Sequence, residues 1–178
     1  MKQEVSSIVR VPGNLMNNNM AIRPLGVDDA AALSSMLLAQ SVEYARFFRP
    51  FSFDTAAIAD VLASQGQDVL MGLYWQNQMV GFFMLRGWDE GYEVPAFGIL
   101  IDERYRGCGL EMLSLETAKI VCKLRGASRI MIKMHPDNIS AKGVLRKTGF
   151  IQSGVEVESG NLIYHSDIRP RRESSHKL

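Results

Sequence analysis

The sequence predicts an α/β protein with a central mixed, mostly antiparallel sheet of six to seven strands, flanked by about four helices. Short apolar runs of strand length alternate with longer segments whose apolar residues recur at helical spacing. Two pairs of strands are joined by short polar turns and form antiparallel hairpins, whereas two later helices return the chain in the parallel direction. The predicted order is therefore β-α-α-β-β-β-α-β-α-β-β.

Length and composition indicate one globular domain. The chain has 178 residues, of which 47% are hydrophobic and 22% charged, and its formal net charge is +1. This balance argues against a dedicated nucleic-acid-binding protein, which carries a strong basic excess. We expect a domain over residues 20–168, a flexible leader over 1–19 and a basic flexible tail over 169–178.

Membrane attachment and metal binding are not expected. The leader lacks the continuous apolar core of a signal peptide, and no apolar stretch reaches the ~18 residues of a membrane span. The two cysteines, Cys108 and Cys122, form no CxxC or Cys/His cluster that binds zinc, and they fit reduced thiols in a cytoplasmic protein. The ten methionines indicate either core filling or a homodimer face.

The N-terminal half predicts two helices and four strands. The first helix follows an N-cap and acidic first turn at Gly26-Val27-Asp28-Asp29, and the second begins at Asp54-Thr55. A hairpin turn is predicted at Gln76-Asn77-Gln78. The predicted helices are 28–45 and 54–65, and the predicted strands are 21–25, 69–75, 79–86 and 93–102.

The C-terminal half predicts two amphipathic helices between strands. The first of them is expected to bury a face formed by Leu110, Leu113, Thr117, Val121 and Leu124. The last two strands flank a turn at Ser159-Gly160. The predicted helices are 109–124 and 138–147, and the predicted strands are 129–134, 150–157 and 162–168.

A glycine loop joins the strand 93–102 to the helix 109–124. Gly107 and Gly109 let the backbone approach a ligand closely, and the first turn of a helix offers N–H groups and a positive dipole end. Such a turn suits a pyrophosphate, and Arg104 and Arg106 add positive charge beside it. Taken alone, the loop is weak evidence for a ligand and favours a tight strand-to-helix turn that binds nothing.

A second motif follows the strand 129–134. Asn138 begins a helix that ends in Gly149-Phe150, and by itself this asparagine indicates a helix N-cap. Together, the two motifs resemble the fingerprint of the GCN5-related N-acetyltransferase (GNAT) superfamily, Arg/Gln-x-x-Gly-x-Gly/Ala followed by Asn-x-x-Ala-x-x-x-Tyr-x-x-x-Gly-Phe. The predicted element order also matches that fold, so the resemblance covers residues ~20–168.

The resemblance implies an acetyl-CoA site. In the family the pantetheine arm pairs with the exposed edge of the fourth strand, so the backbones of Ile99 and Ile101 are the corresponding positions here, with Leu100 between them. The pyrophosphate would lie on amides of the loop and first helical turn, and Asn138 matches the family asparagine that contacts the cofactor arm. The loop residues concerned are Arg104, Arg106, Gly107, Cys108, Gly109, Leu110 and Glu111.

Two positions depart from the family pattern. If the motif is phased from Arg106, Glu111 replaces a small residue near the phosphates, and we expect its carboxylate to turn away towards Arg104 or Arg106. Leu145 stands where the family tyrosine often protonates the departing CoA thiolate. Either another group donates that proton, with Tyr92, Tyr105 and Tyr164 as candidates, or the thiolate leaves without help.

Acetyl transfer to an amine also requires that the ammonium lose a proton. The run Trp88-Asp89-Glu90-Gly91-Tyr92-Glu93 is the only dense acidic and aromatic stretch, and it lies where the family keeps its base. We expect Glu93 to be the base, on the same side of its strand as Ile99 and Ile101, with Asp89 and Glu90 as alternatives. A solvated hairpin loop with no catalytic role is the competing interpretation.

The acceptor pocket is expected to draw on two further regions. Phe48 and Arg49 lie in an aromatic and basic stretch between the first two helices, and Arg86, Trp88 and Tyr92 lie at the acidic run. Most of the phenylalanines in the first stretch are expected to be core residues. Basic and acidic groups on one rim fit a zwitterionic or anionic amine better than a basic peptide.

The resulting hypothesis is an acetyl-CoA-dependent N-acetyltransferase that acts on a primary amine of a small molecule by direct attack in a ternary complex. Two alternatives stay open. Glu111 and Leu145 would also fit an acyl-CoA-binding regulatory module without turnover, and a protein N-terminal acetyltransferase would use the same chemistry on a peptide.

Overall fold

The structure is a computed structural model, and it describes residues 19–168. The predicted tail and all but the last residue of the predicted leader lie outside this range. The helices are α1 (Ala30–Leu38), α2 (Val42–Ala45), α3 (Thr55–Ala63), α4 (Leu110–Leu124) and α5 (Ile139–Lys147). The strands are β1 (Met20–Pro24), β2 (Val69–Trp75), β3 (Gln78–Arg86), β4 (Ala96–Ile101), β5 (Arg129–Met134), β6 (Ile151–Val155) and β7 (Leu162–Asp167).

The seven strands form one sheet in the order β1-β2-β3-β4-β5-β7-β6. The strand β1 is antiparallel to β2, β4 is parallel to β5, and β7 is antiparallel to both β5 and β6. This confirms the predicted mixed, mostly antiparallel α/β sheet. The β2–β3 hairpin turns at Gln76 and Asn77, whose φ angles of 49° and 63° give the left-handed turn that fits the twist of a two-residue hairpin.

The chain divides into two compact units. The first contains the described residues up to Ser64, together with Leu70–Phe82 and Ile99–Leu113. The second contains Gln65–Val69, Phe83–Gly98 and the described residues from Ser114 onwards. The single domain over 20–168 remains a prediction.

The core of the first unit lies under α1 and α3. Leu33 and Leu37 of α1 and Ile58 of α3 are at most 1% exposed, and the two helices pack against each other. Phe82 at the end of this unit's part of β3 is fully buried. Apolar burial of this kind contributes about 25 cal/mol per Å² and is what fixes the helices in place.

The predicted helix 28–45 is wrong in one respect, because it is interrupted. A short 3-10 helix at Val27–Asp29 precedes α1, which ends at Leu38, and α2 restarts at Val42. The cause is Ser41, whose extended backbone and side chain, accepting a hydrogen bond from the Tyr44 N–H at 3.3 Å, make it a new N-cap. The second predicted helix begins as expected, with Asp54 accepting from the Ala57 N–H at 2.9 Å.

In the second unit, α4 buries a different face from the predicted one. Ser114, Leu115, Ala118 and Cys122 are buried, whereas Leu124, which was assigned to the buried face, is 82% exposed. Small side chains let a helix lie close to its neighbours, so the buried stripe carries fewer large apolar residues than the sequence pattern suggested. The alternation predicted for β5 is confirmed at its ends, where Ile130 and Met134 are buried.

Candidate functional site

The loop between β4 and α4 has the geometry that its glycines predicted. Gly107 and Gly109 have φ angles of +71° and +87°, in the left-handed region that favours glycine. A Cβ atom at either position would meet nothing within 4 Å. The glycines are therefore required by the backbone conformation, and the space beside them is open. The 15-residue helix α4 begins directly after them at Leu110, with its positive dipole end at this loop.

The two loop arginines have different partners. Arg104 donates to both carboxylate oxygens of Asp102, at 3.0 and 2.6 Å, and the Asp102 side chain is only 3% exposed. Burial alone would raise the pKa of Asp102, but the hydrogen bonds from Arg104 outweigh it and hold the pKa below its usual value. Arg106 lies with its guanidinium 4.8 Å from the centre of the Tyr44 ring. Arg104, one of the two partners expected for Glu111, therefore pairs with Asp102 instead.

The last residues of β4 present alternate backbone groups to its two edges. The Asp102 N–H donates to the Val80 carbonyl at 2.8 Å, and the Leu100 carbonyl lies beside Gly81, so these groups face β3. Backbone groups of Ile99 and Ile101 therefore point to the opposite edge, because successive residues of a strand alternate. This is the edge that the resemblance assigns to the pantetheine arm.

Two residues near this edge were missed by the sequence analysis. The Tyr44 hydroxyl donates to the Ile101 carbonyl at 2.7 Å, and the Gln40 side-chain oxygen accepts from the Glu103 N–H at 2.7 Å. Both lie around the break between α1 and α2, which the prediction of one continuous helix concealed. Ser41, a good N-cap residue, was the signal that could have found them.

In the second unit, the buried carboxylate of Asp68 holds the segment that follows β3. One oxygen accepts hydrogen bonds from the backbone N–H groups of Gly87, Trp88 and Asp89, at 2.9, 2.9 and 3.2 Å. The other lies 3.5 Å from Nε of Arg86. Asp68 is 5% exposed, and a buried carboxylate is tolerated because these donors satisfy it.

The Asp89 carboxylate in turn accepts backbone hydrogen bonds from the segment that carries Asp68. Its carboxylate accepts from the N–H groups of Gly66 at 3.1 Å and Gln67 at 2.5 Å. These hydrogen bonds, that of Gln67 first, lower the pKa of Asp89. Arg125 adds a third link, since it donates to the Gln67 carbonyl and lies 4.6 Å from the Trp88 ring centre. Asp89 and Trp88 thus have structural contacts that the sequence did not reveal.

The rest of the acidic run is exposed. Tyr92 is 66% exposed, and its N–H donates to the Gly87 carbonyl at 2.8 Å, which closes a turn. Glu90 lies 4.0 Å from Arg86. Glu93 lies in a bend before β4, not on the strand as predicted, because the turn and Pro95, which has no N–H, delay the strand to Ala96. The expected strand alignment of Glu93 with Ile99 and Ile101 is therefore wrong.

A cavity of about 390 Å³ lies in the first unit, beside Arg49. Phe48, by contrast, packs edge-on against the buried Phe82, with ring centres 5.6 Å apart, as expected for a core aromatic. Arg49 is exposed at the rim. The other lining residues are Leu37, Leu38, Gln40, Val42, Ala45, Phe51, Ser52 and Phe53.

The remaining predicted site residues lie in the second unit. Asn138 caps α5, with its side-chain oxygen accepting from the Ala141 N–H at 3.3 Å, as the sequence indicated. Leu145 is buried at 5% exposure. Among residues 19–168, the Tyr164 hydroxyl on β7 makes one hydrogen bond, a long one of 3.5 Å to Gln152. No described residue therefore holds this hydroxyl tightly.

Within residues 19–168 no group of three or more His, Cys, Asp or Glu residues is arranged to hold a metal ion, and no helix is both long and apolar enough to span a membrane. Cys108 is exposed in the glycine loop and Cys122 is buried. Burial raises the pKa of the Cys122 thiol to about 11, so this thiol stays protonated and unreactive at neutral pH.

Comparison with known proteins gives one family and many similar folds. Residues 19–151 match the family described as the acetyltransferase (GNAT) domain. PaiA N-acetyltransferase from Thermoplasma acidophilum, solved in complex with coenzyme A, has a TM-score of 0.70 and 13% identity, over 84% of this chain and 99% of that one. A comparison with curated proteins finds no match.

Two further similar structures are enzymes that act on ribosomal proteins. An acetyl transferase from Salmonella typhimurium, which modifies the N-terminal serine of a 50S ribosomal subunit protein, has a TM-score of 0.69 and 18% identity, over 84% of this chain and 95% of that one. A ribosomal-protein alanine N-acetyltransferase from Escherichia coli has a TM-score of 0.64 and 16% identity, over 89% and 100%. At these identities the likeness extends to the fold.

Proposed function

The chain belongs to the acetyltransferase (GNAT) domain family, and on this premise we propose that it transfers the acetyl group of acetyl-CoA to a primary amine of a small molecule. The amine attacks directly in a ternary complex. The proposed acceptor is zwitterionic or anionic, such as an amino sugar nucleotide or an amino acid. Acetyl-CoA supplies the activated thioester. The chain's own residues bind the two substrates, orient the amine and accept its proton.

The glycine loop is the single observation that carries this proposal. Gly107 and Gly109 adopt left-handed conformations and leave open space where a side chain would otherwise stand. The loop leads into the N-terminal end of α4, where N–H groups and the helix dipole favour a polyphosphate. Residues 106–111 therefore fit the pyrophosphate, with Arg106 as the nearby positive charge. Arg104, which pairs with Asp102, supports the loop from within.

The edge of β4 supports the same assignment. The backbone groups of Ile99 and Ile101 point away from β3, because the Asp102 N–H and the Leu100 carbonyl face β3. A strand edge with outward N–H and carbonyl groups pairs with an extended amide-containing chain. We assign the pantetheine arm to this edge, through backbone contacts alone. Asn138 stays a predicted contact of the cofactor, as the resemblance implies.

We assign the role of base to Glu93. Within residues 19–168 no hydrogen bond or ion pair engages its carboxylate, and it is exposed beside Tyr92. Asp89 is a weaker base because two backbone amides stabilise its ionised form. Glu90 is the second choice, since Arg86 lies 4.0 Å from it. Tyr92 and Arg86 are the proposed contacts for an anionic acceptor, and Arg49 stays a predicted contact of such an acceptor.

The leaving thiolate is proposed to depart without a dedicated acid. The buried side chain of Leu145 has no ionisable proton to donate. A thiol has an ordinary pKa near ~8.5, so its thiolate is a tolerable leaving group in water. Tyr164 is the alternative donor. A cytoplasmic location belongs to the same proposal and is supported by the two unpaired thiols.

The test is thiol release from acetyl-CoA in the presence of a panel of small amines, and in parallel a panel of peptides with free N-termini. Turnover with zwitterionic or anionic amines is the expected result. Turnover only with peptides would favour the N-terminal acetyltransferase suggested by the two ribosomal-protein enzymes of similar fold. Binding of acetyl-CoA without turnover on either panel would favour a regulatory acyl-CoA-binding module.

A further inference from the structure

The segment Gln40–Tyr44, at the break between α1 and α2, contacts the proposed cofactor loop at three points, all within the first unit. The Gln40 side chain binds the Glu103 N–H, the Tyr44 hydroxyl binds the Ile101 carbonyl, and the Tyr44 ring lies under Arg106. Glu103 and Arg106 belong to the loop itself, and Ile101 is the last residue of β4.

Gln40 is held in one orientation. Its amide nitrogen donates to the Met36 carbonyl at 2.7 Å, near the C-terminal end of α1, while its amide oxygen accepts from Glu103 at 2.7 Å. A side-chain amide with a donor and an acceptor partner on opposite sides links two backbones directly. The start of the loop is thereby tied to the end of α1.

Tyr44 makes the other two contacts, with Ile101 and Arg106. Burial raises its pKa to about 12, so its hydroxyl stays a donor at any physiological pH. The hydroxyl donates to the carbonyl of Ile101, the last residue of β4, on the edge that we assign to the pantetheine arm. This hydrogen bond therefore lies at the end of that edge. The ring carries the guanidinium of Arg106 on its face, a cation–π contact that leaves the charge at the loop.

The pair of Arg104 with Asp102 fixes the first half of the loop from within, whereas the glycines leave its second half less constrained. Gly107 and Gly109 have wide conformational freedom, and both are exposed. A binding loop that is disordered before binding loses affinity by the entropy of ordering it. External contacts at Ile101, Glu103 and Arg106 remove part of that loss in advance.

We propose that Gln40 and Tyr44 are positioning residues that hold the phosphate loop in its cofactor-binding conformation. The proposal rests on the proposed function, since it assumes that the loop binds coenzyme A. It goes beyond that function by placing two determinants of cofactor affinity on Gln40–Tyr44, the segment that runs from the break after α1 into α2. Their loss weakens coenzyme A binding and leaves the chemistry of the bound complex unchanged.

Tyr74 offers a matched control in the same unit. Its hydroxyl also donates a hydrogen bond, to Asp29 at 3.0 Å, and its ring also carries an arginine, Arg23, at 4.4 Å. Its pKa is likewise raised, by burial first, to about 12. It lies on β2, apart from the loop in sequence and in its contacts. A general loss of stability from removing a tyrosine hydroxyl will therefore appear in both variants.

The experiment measures the dissociation constant of coenzyme A by calorimetry for wild type, Tyr44→Phe, Tyr44→Leu and Tyr74→Phe. Loss of one hydrogen bond in Tyr44→Phe should weaken binding about fivefold. Tyr44→Leu also loses the ring under Arg106 and should weaken it more. Tyr74→Phe should bind as wild type does, although its melting temperature falls. At saturating substrates, kcat of Tyr44→Phe should stay within about twofold of wild type.

Gln40→Met, which keeps the side-chain length but removes the acceptor for Glu103, gives an independent arm and should also weaken coenzyme A binding several-fold. Equal affinity of wild type and both Tyr44→Phe and Gln40→Met would overturn the positioning role while leaving the proposed function intact. If wild type itself binds no coenzyme A, the proposed function fails, and this inference fails with it. A loss confined to kcat would also overturn it.

Discussion

Replacement of Gly109 by alanine separates the backbone strain of the loop from its role in binding. Gly109 has a φ angle of +87°, and an added Cβ would meet nothing within 4 Å. The cost to folding is therefore the left-handed conformation alone, about 1–2 kcal/mol for a residue with a Cβ. Gly160, in the β6–β7 turn, has a φ of +71° and the same open surroundings. Gly160→Ala should cost a similar amount.

The two variants should differ when acetyl-CoA is added. At a hundredfold excess over its dissociation constant, a ligand stabilises the fold by about 2.7 kcal/mol, which is roughly 5–11 °C in melting temperature for a chain of this size. Wild type and Gly160→Ala should show this shift in a thermal denaturation assay. Gly109→Ala should lose most of it, because its Cβ occupies the space assigned to the phosphates. An equal shift in both alanine variants would refute the assignment of this loop.

Four further outcomes are expected. Glu93→Gln should lower kcat by ~10²–10⁴ in the thiol-release assay while coenzyme A binding is kept; a rate near that of wild type would remove Glu93 as the base. Tyr164→Phe should change kcat less than tenfold, and a larger loss would make that tyrosine the acid. Asp68→Ala should raise the KM for the amine without changing coenzyme A affinity, and Asp68→Asn, which keeps an acceptor oxygen, should restore much of the loss. Hydrogen bonds from Arg23 hold the pKa of Asp29 well below its usual 3.8. The stability that this pair contributes is therefore complete above about pH 4 and is lost as the pH falls further. Asp29→Asn should flatten the decline of the unfolding free energy between pH 2 and 4, measured by urea unfolding.

The parts of the fold that the sequence predicted well are those with strong local signals. Asp54 is predicted to start its helix and Asn138 to be an N-cap, and each accepts a backbone hydrogen bond at the start of its helix. The left-handed glycines at 107 and 109 were expected from their place between a strand and a helix. In each case the residue satisfies a need of its own backbone, so no knowledge of distant contacts was required.

The parts that were predicted less well depend on contacts far apart in sequence. Ser41 offers a local N-cap signal for the break between α1 and α2, but the contact of Gln40 with Glu103, 63 residues away, cannot be inferred from the sequence. The buried face of α4 was misassigned because hydrophobicity alone does not reveal that Ala118 and Cys122 pack more closely than Leu124. Periodicity marks a helix but does not select between neighbouring stripes when both carry apolar residues.

The acidic run shows the same limit at the candidate site, and it also shows how the structure narrows the choice of base. Asp89, Glu90 and Glu93 are equivalent by residue type. A base needs a lone pair that is not already held by donors, since each donated hydrogen bond stabilises the carboxylate and weakens its pull on a proton. Asp89 accepts two backbone N–H groups and Glu90 lies near Arg86. Glu93 alone among the three combines exposure with a carboxylate that no donor within residues 19–168 engages, and for this reason Glu93→Gln should lower turnover, whereas Asp89→Asn should lower mainly thermal stability.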